Sequence, residues 1–253
     1  MSKGCENALP FELHMDLVGV LLKSISPRTP EEAKAFIGAP QALRRQKLDH
    51  AFDDVIGKKR PAFRAVDRTI PELWGPFYER FFPDVLGNAG GIDALSAVAI
   101  PKMRDGFGWS CVLLPGLTHN SVFAACKANF SCYSYYDDID RAITVNDRFP
   151  AEPYGIRVRD RIEADEEYAN VSARDVASRG IAGVTLLERM LLELMYWSKT
   201  GKHLDLENVT LCSGSRSADG YVPRAGWSDG GFCVDWGGPG YRDPRLRVRE
   251  ILS

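Results

Sequence analysis

The clearest hydrophobic pattern in the chain lies near its C-terminal end. From Thr185 to about Trp197, Leu187, Met190, Leu191 and Leu194 form one stripe at helical spacing. Leu186, Leu192, Met195, Tyr196 and Trp197 widen that stripe until only Glu188, Arg189 and Glu193 are left as a narrow polar side. A helix apolar over most of its circumference is a buried one, so this segment is predicted to be the central helix of its domain. Thr185-Leu-Leu-Glu188 supplies a capping box at its start, and Gly201 a stop.

Shorter periods surround it. Trp109–Leu114 is an apolar run ended by Pro115-Gly116, a buried strand. Thr118–Phe130 is helical, with Val122, Cys126 and Phe130 on one face, and Cys132–Tyr136 has strand character. Strand, helix and strand together predict a small βαβ unit. Tyr154–Ile162 alternates, with Ile156, Val158 and Ile162 on one parity, as a half-buried strand does. Ser172-Ala-Arg-Asp175 opens a short helix that Gly180 closes. Three short strands follow the central helix, at Asn208–Cys212, Tyr221–Trp227 and Gly231–Trp236, and a last one spans Leu246–Leu252. Upstream, prolines break the pattern into short helices over 11–24, after Pro30 and over 41–56, and the aromatic stretch Trp74–Phe82 is set to pack on a neighbour. Arg141–Pro153 is polar, with two prolines, and reads as a connector. The fold class is α+β: a helical N-terminal region over 1–95, a small α/β unit with its connector over 96–150, and a C-terminal domain over 151–253.

Composition narrows the function. With 253 residues, 45% hydrophobic, 26% charged and a net charge of -2, the chain has material for a real core and no bulk charge to bind a polyanion, so no nucleic acid is expected as a partner. Lys58-Lys59-Arg60 is too short a basic run to alter that. No apolar run approaches the ~20 residues of a membrane span. The first ten residues lack an apolar h-region, so no secretory signal is expected. The six cysteines contain no CxxC pair and read as reduced, mostly buried thiols.

Chemistry is sparse. Asp137, Asp138 and Asp140 could hold a divalent cation through hard oxygen ligands, yet the segment lacks the glycine and distal glutamate of an EF-hand loop and reads first as a polar turn. Asp160, Glu163, Asp165, Glu166 and Glu167 interleave with Arg157, Arg159 and Arg161, the mixture of a solvated strand edge. Gly214-Ser215 is not a nucleophile elbow, and Cys212 with His203 reads as a buried thiol and a helix-end imidazole. No phosphate loop, dinucleotide fingerprint or zinc spacing is present. No cofactor or metal is expected.

The tail over 212–253 is unusual. It contains no Lys, Gln, Met, Asn, Thr or His, but has Tyr221, Trp227, Phe232, Trp236 and Tyr241, six arginines, and many Ser, Gly and Asp. Rigid aromatics give contact area at low entropy cost, arginine gives forked hydrogen bonds, and small polar residues adapt, which is the composition of a paratope. The residues selected for target contact are Tyr221, Arg224, Trp227, Asp229, Phe232, Asp235, Tyr241, Arg242 and Asp243. Trp227 and Trp236 suit a scaffold role equally well.

From Tyr154 onward the order is strand, two helices, then short strands with the last at the C-terminus. With Tyr196-Trp-Ser-Lys-Thr-Gly-Lys202, Pro239-Gly-Tyr-Arg242 and Leu246-Arg-Val-Arg249, this resembles the variable proteins of diversity-generating retroelements. Their C-type lectin-like fold is shared with the formylglycine-generating enzymes. In that family, template adenines are randomised, often at AAY codons, and the variable positions never become Lys, Gln, Glu or Met, an exclusion that Ser217 to Asp243 obeys. The chain departs from the family in having no asparagine after Asn208 and no terminal Gly-Phe-Arg. The resemblance implies a C-type lectin-like domain over 151–253 that binds a protein or other macromolecular target without chemistry, in the cytoplasm or on a phage. The competing class is an enzyme, either metal-dependent at Asp137, Asp138 and Asp140 or an oxidase of the formylglycine-generating kind. The latter would need a cysteine pair, for which Cys212 and Cys233 are the pair available in the tail.

Overall fold

The computed structural model describes residues 69–253, which lie in the second of two compact units, Phe63–Ser253. The helices expected over 11–24, after Pro30 and over 41–56, the basic run 58–60 and Cys5 fall outside the described residues.

The unit is α+β. Its first helices are α1 (Ile70–Phe81), α2 (Pro83–Asn88) and α3 (Ile92–Ser96). Trp74, Phe77 and Tyr78 of α1 are buried, and the Tyr78 hydroxyl donates to the Val112 carbonyl at 2.8 Å. Val112 belongs to β1 (Trp109–Leu113), all five of whose residues are buried. The aromatic stretch therefore packs into the same core as the strands that follow, and the boundary expected near residue 95 is bridged by this contact.

After β1 come α4 (His119–Lys127), β2 (Cys132–Ser134), α5 (Ile139–Ala142), β3 (Ile143–Asn146) and β4 (Tyr154–Val158). The expected βαβ unit does not form: β1 pairs antiparallel with β4, whereas β2 pairs in parallel with a strand almost a hundred residues later. Helix α4 carries the chain from one sheet to another. Because β1 and β4 are partners, the boundary at 150/151 does not separate structural units. The expected connector also contains β3, which pairs with β6 (Ser215–Ser217), a strand absent from the periodicity because its three residues are Ser, Arg and Ser.

The remaining elements are a 3-10 turn at Glu166–Tyr168, α6 (Ala173–Ser178), α7 (Leu186–Thr200), β5 (Val209–Leu211), β7 (Val222–Ser228), β8 (Gly231–Gly237), β9 (Leu246–Val248) and β10 (Ile251–Leu252). Strand β4 sits between β1 and β10, and a five-stranded sheet runs β2-β8-β7-β5-β9. The C-terminal segment thus splits between two sheets instead of forming one strand over 246–252. The break falls at Arg249-Glu250, where the Arg249 side chain is wholly buried. At the end of β4 the expected alternation fails: Ile156 and Val158 are buried, but Ile162 lies beyond the strand and is exposed.

Helix α7 is the central helix, as its pattern predicts. Thr185 accepts from the Glu188 N–H at 3.2 Å while the Glu188 carboxylate accepts from the Thr185 N–H at 2.7 Å, and Gly201 ends the helix in the left-handed conformation that glycine favours (φ 66°). Every residue from Leu186 to Trp197 is buried. The polar side is therefore no solvent face. Glu188 takes a bidentate pair from Arg148 (2.8 and 2.9 Å) and a hydrogen bond from the Tyr154 hydroxyl (3.0 Å). Arg189 reaches Glu193 at 2.8 Å and Asp205 at 2.9 Å, and Arg249 reaches the other oxygen of Asp205 at 2.8 Å. All four of these last side chains are 0% exposed. Two guanidiniums against two carboxylates leave the buried group neutral, the condition under which charges persist in a core. The mixed-charge run after β4 is likewise not wholly solvated: Asp165 is buried beneath Arg159, which also holds Glu250.

The two faces of the five-stranded sheet have different fates. Its inner face, with Ala225, Phe232 and Val234, joins the main core around α7. On its outer face, Leu211, Val222, Leu246 and Val248 meet Val171 and Val176 in a second, smaller core under α6. Among the described residues that cover reaches β7 only at Val222 and leaves the outer face open from Arg224 to Ser228 of β7 and over β8 and β2.

Candidate functional site

Alternation along two strands builds the floor of a cleft on this open face. Arg224, Gly226 and Ser228 of β7 and Cys233 and Asp235 of β8 share one parity, and in the hairpin register Arg224 stands opposite Asp235 and Gly226 opposite Cys233. Tyr133 of β2, opposite Cys233, and Tyr135 just after it form one wall. The other side is Val209, Leu246 and the loop carrying Tyr241, Asp243 and Arg245, and the enclosed volume is about 210 Å³.

The polar centre is fixed. Arg224 donates to both Asp235 oxygens, at 2.8 and 2.7 Å, with its guanidinium 4.8 Å from the centre of the Tyr241 ring. Burial raises the Asp235 carboxyl above its usual range even beside Arg224. Burial alone would lower the Arg224 guanidinium, but the bonds to Asp235 hold it up. Burial also raises the Cys233 thiol, so this cysteine is no ready nucleophile. The loop bearing Tyr241 is tied down on α6, since the Arg174 N–H donates to the Pro239 carbonyl at 2.9 Å and Arg242 donates to Asp175 at 2.7 Å. Asp175 is itself held by Ser172 in the capping box of α6.

Of the nine residues selected from the sequence, Arg224, Trp227, Asp229, Asp235, Tyr241 and Asp243 line the cleft. Phe232 does not. It is 0% exposed, on the inner face of β8, because its parity matches Val234 and not Asp235. The expectation that it contacts a target is overturned. Trp227 turns its indole toward the core: Nε1 donates to Glu193 at 3.2 Å and the ring packs 3.8 Å from that of His203, the scaffold alternative for this residue. Tyr221 is exposed in the turn before β7, outside the cleft, and Arg242 is spent on Asp175. Trp236 is 40% exposed and packs on Tyr136 and Tyr135. Tyr133, Tyr135 and Arg245 were missed. The tyrosines lie 75 residues or more before the tail, and only the parallel pairing of β2 with β8 brings them to it.

The acidic segment has other work. Asp138 caps α5, accepting from the Arg141 N–H at 3.1 Å and from the Asn120 side chain at 2.8 Å. Asp140 caps α4, accepting from the N–H groups of His119 and Asn120. Among the described residues, no three His, Cys, Asp or Glu side chains gather as a metal site would require. Cys212 and Cys233 are free thiols, and Cys212 contacts the Thr210 carbonyl, not His203. Ser215 is buried and bonded to Asn146. No helix among the described residues is long and apolar enough to cross a membrane.

Compared with protein-family models, with curated proteins and with solved structures, the chain gives no significant match in any of the three.

Proposed function

We propose that the chain is a non-enzymatic target-binding protein whose contact surface is the cleft on the open half of the five-stranded sheet. One observation carries this reading: residues of the tail floor the cleft on one strand parity, while Ala225, Phe232 and Val234, on the opposite parity of the same strands, are locked into the core. Such a sheet tolerates side-chain change on one face while its backbone stays fixed, and exposed aromatics gathered on one face are typical of a contact patch. The return of the C-terminal strand β10 beside β4 supports a C-type lectin-like topology, one that takes in β1 and β2 and so starts upstream of residue 151. With the restricted alphabet of the tail, it supports the further reading of a diversity-generating retroelement variable protein, acting in the cytoplasm or on a phage. The test is the DNA beside the coding region. A near-copy of the stretch encoding 212–253, differing at adenines and lying next to a reverse-transcriptase gene, is the expected finding. A locus without either sinks the retroelement assignment.

A further inference from the structure

Within the proposed contact surface, on which this inference rests, most charges already have partners inside the protein. Arg224 and Asp235 hold each other, and Tyr241 lies against the Arg224 guanidinium. Asp243 accepts from the Arg245 N–H and the Tyr241 hydroxyl, with the Arg245 side chain 3.8 Å away. Asp229 differs. It lies at the tip of the β7–β8 hairpin, and its carboxylate takes a hydrogen bond from its own neighbour Ser228 at 3.1 Å but forms no ion pair with any described residue. It lines the cleft together with Tyr133 and Tyr135. Those two rings meet edge to face with centroids 6.0 Å apart, and Tyr135 is 64% exposed.

An unmatched carboxylate lining the same cleft as two tyrosine rings, one of them largely exposed, selects for a cation. A guanidinium or ammonium gains from both the rings and the carboxylate. An apolar guest would strip water from Asp229 and return nothing, and an anionic guest would be repelled. We propose that the hairpin end of the cleft receives a basic side chain, arginine or lysine, from a protein partner.

Asp229 sits at a positive φ of 48°, a conformation that asparagine tolerates as well as aspartate, so Asp229→Asn removes the charge without disturbing the turn. The test pans a random peptide library displayed on phage against the full chain. Clones are then re-assayed on Asp229→Asn and Tyr135→Ser, after unchanged melting curves confirm that both variants fold. The proposal expects clones rich in Arg or Lys whose binding weakens about five- to tenfold in each variant and weakens with added salt. Clones that depend on Tyr135 and either carry no basic residue or bind Asp229→Asn as well as the parent would falsify the cation inference and leave the contact surface standing. If no clone is sensitive to either substitution, both the inference and the contact surface fall.

Discussion

Asp205 and Arg249 form a fully buried ion pair, 2.8 Å apart, that ties the segment after α7 to the last five residues of the chain. Asp205 holds a left-handed backbone (φ 54°), and its two oxygens also take Arg189, the Thr210 hydroxyl and the Ala164 N–H. Every acceptor position is thus used, and the two guanidiniums, helped by the Thr210 and Ala164 bonds, outweigh burial and favour the ionised carboxylate.

Removing one member of such a group leaves the others charged and unmatched. Asp205→Asn keeps the backbone preference and the side-chain size, but it removes the charge and replaces one accepting oxygen with a donor. It is expected to lower unfolding free energy by about 3–5 kcal/mol, measured by urea denaturation. A loss below about 1 kcal/mol would show that the pair is solvated and that the packing is wrong. The pH response has a definite sign. Burial raises the Asp205 carboxyl, but Arg249 and Arg189 overcome that and hold it below its ordinary value. Its contribution is therefore present above the ordinary carboxylate range and is lost as pH falls through that range toward the depressed value.

Leu191 lies mid-way along α7 with no exposed surface. Leu191→Ala opens a cavity at the centre of the core, and the expected cost is about 2–5 kcal/mol. Calorimetry decides this: a melting temperature near that of the parent means that the helix is not central.

The cleft separates exposed from buried aromatics in a way that substitution can read. Tyr135 and Tyr221 have their rings in solvent, so Tyr135→Ser and Tyr221→Ser should change stability by no more than about 0.5 kcal/mol. Phe232→Ala, on the opposite parity of the same sheet, should cost about 3–5 kcal/mol. Equal costs for the three substitutions would contradict the division of the sheet into a fixed inner face and a free outer one.

What the sequence made legible was local. The helix start at Ser172, the capping box at Thr185, the stop at Gly201 and the short strands at β7 and β8 each depend on residues within a few positions of one another. Choice of partner was not legible: nothing near Cys132 says that β2 will pair with β8 and not with β1. The buried polar side of α7 was hidden for the same reason, because Asp205 and Arg249 reach Arg189 from distant segments, and a charged residue seen alone reads as a solvent face. Phe232 is a different kind of miss. The alternation Phe232, Cys233, Val234, Asp235 already assigned it to the face of Val234, but its aromatic character was weighed above its parity.

Histidine 119 gives the clearest pH dependence. Its ring is 1% exposed, with Nδ1 3.0 Å from Asp140 and Nε2 buried without a hydrogen-bond partner. Burial lowers its pKa below 6.5, and the nearby Asp140 and Asn146 only partly oppose that. Protonation would put a charge on a buried ring whose loss of water outweighs the opposing pull of Asp140 and Asn146, so the unfolded chain takes up the proton first. Stability should therefore be unaffected above the ordinary histidine range and fall as pH drops from about 7 to about 5. His119→Asn retains an N–H donor where Nδ1 stands and cannot titrate. Denaturation midpoints for the two proteins should run parallel at neutral pH and diverge below it, the parent falling faster. Parallel curves down to about pH 5 would mean that His119 reaches solvent or protonates without penalty, and the packing of α4 on Asp140 would need to be redrawn.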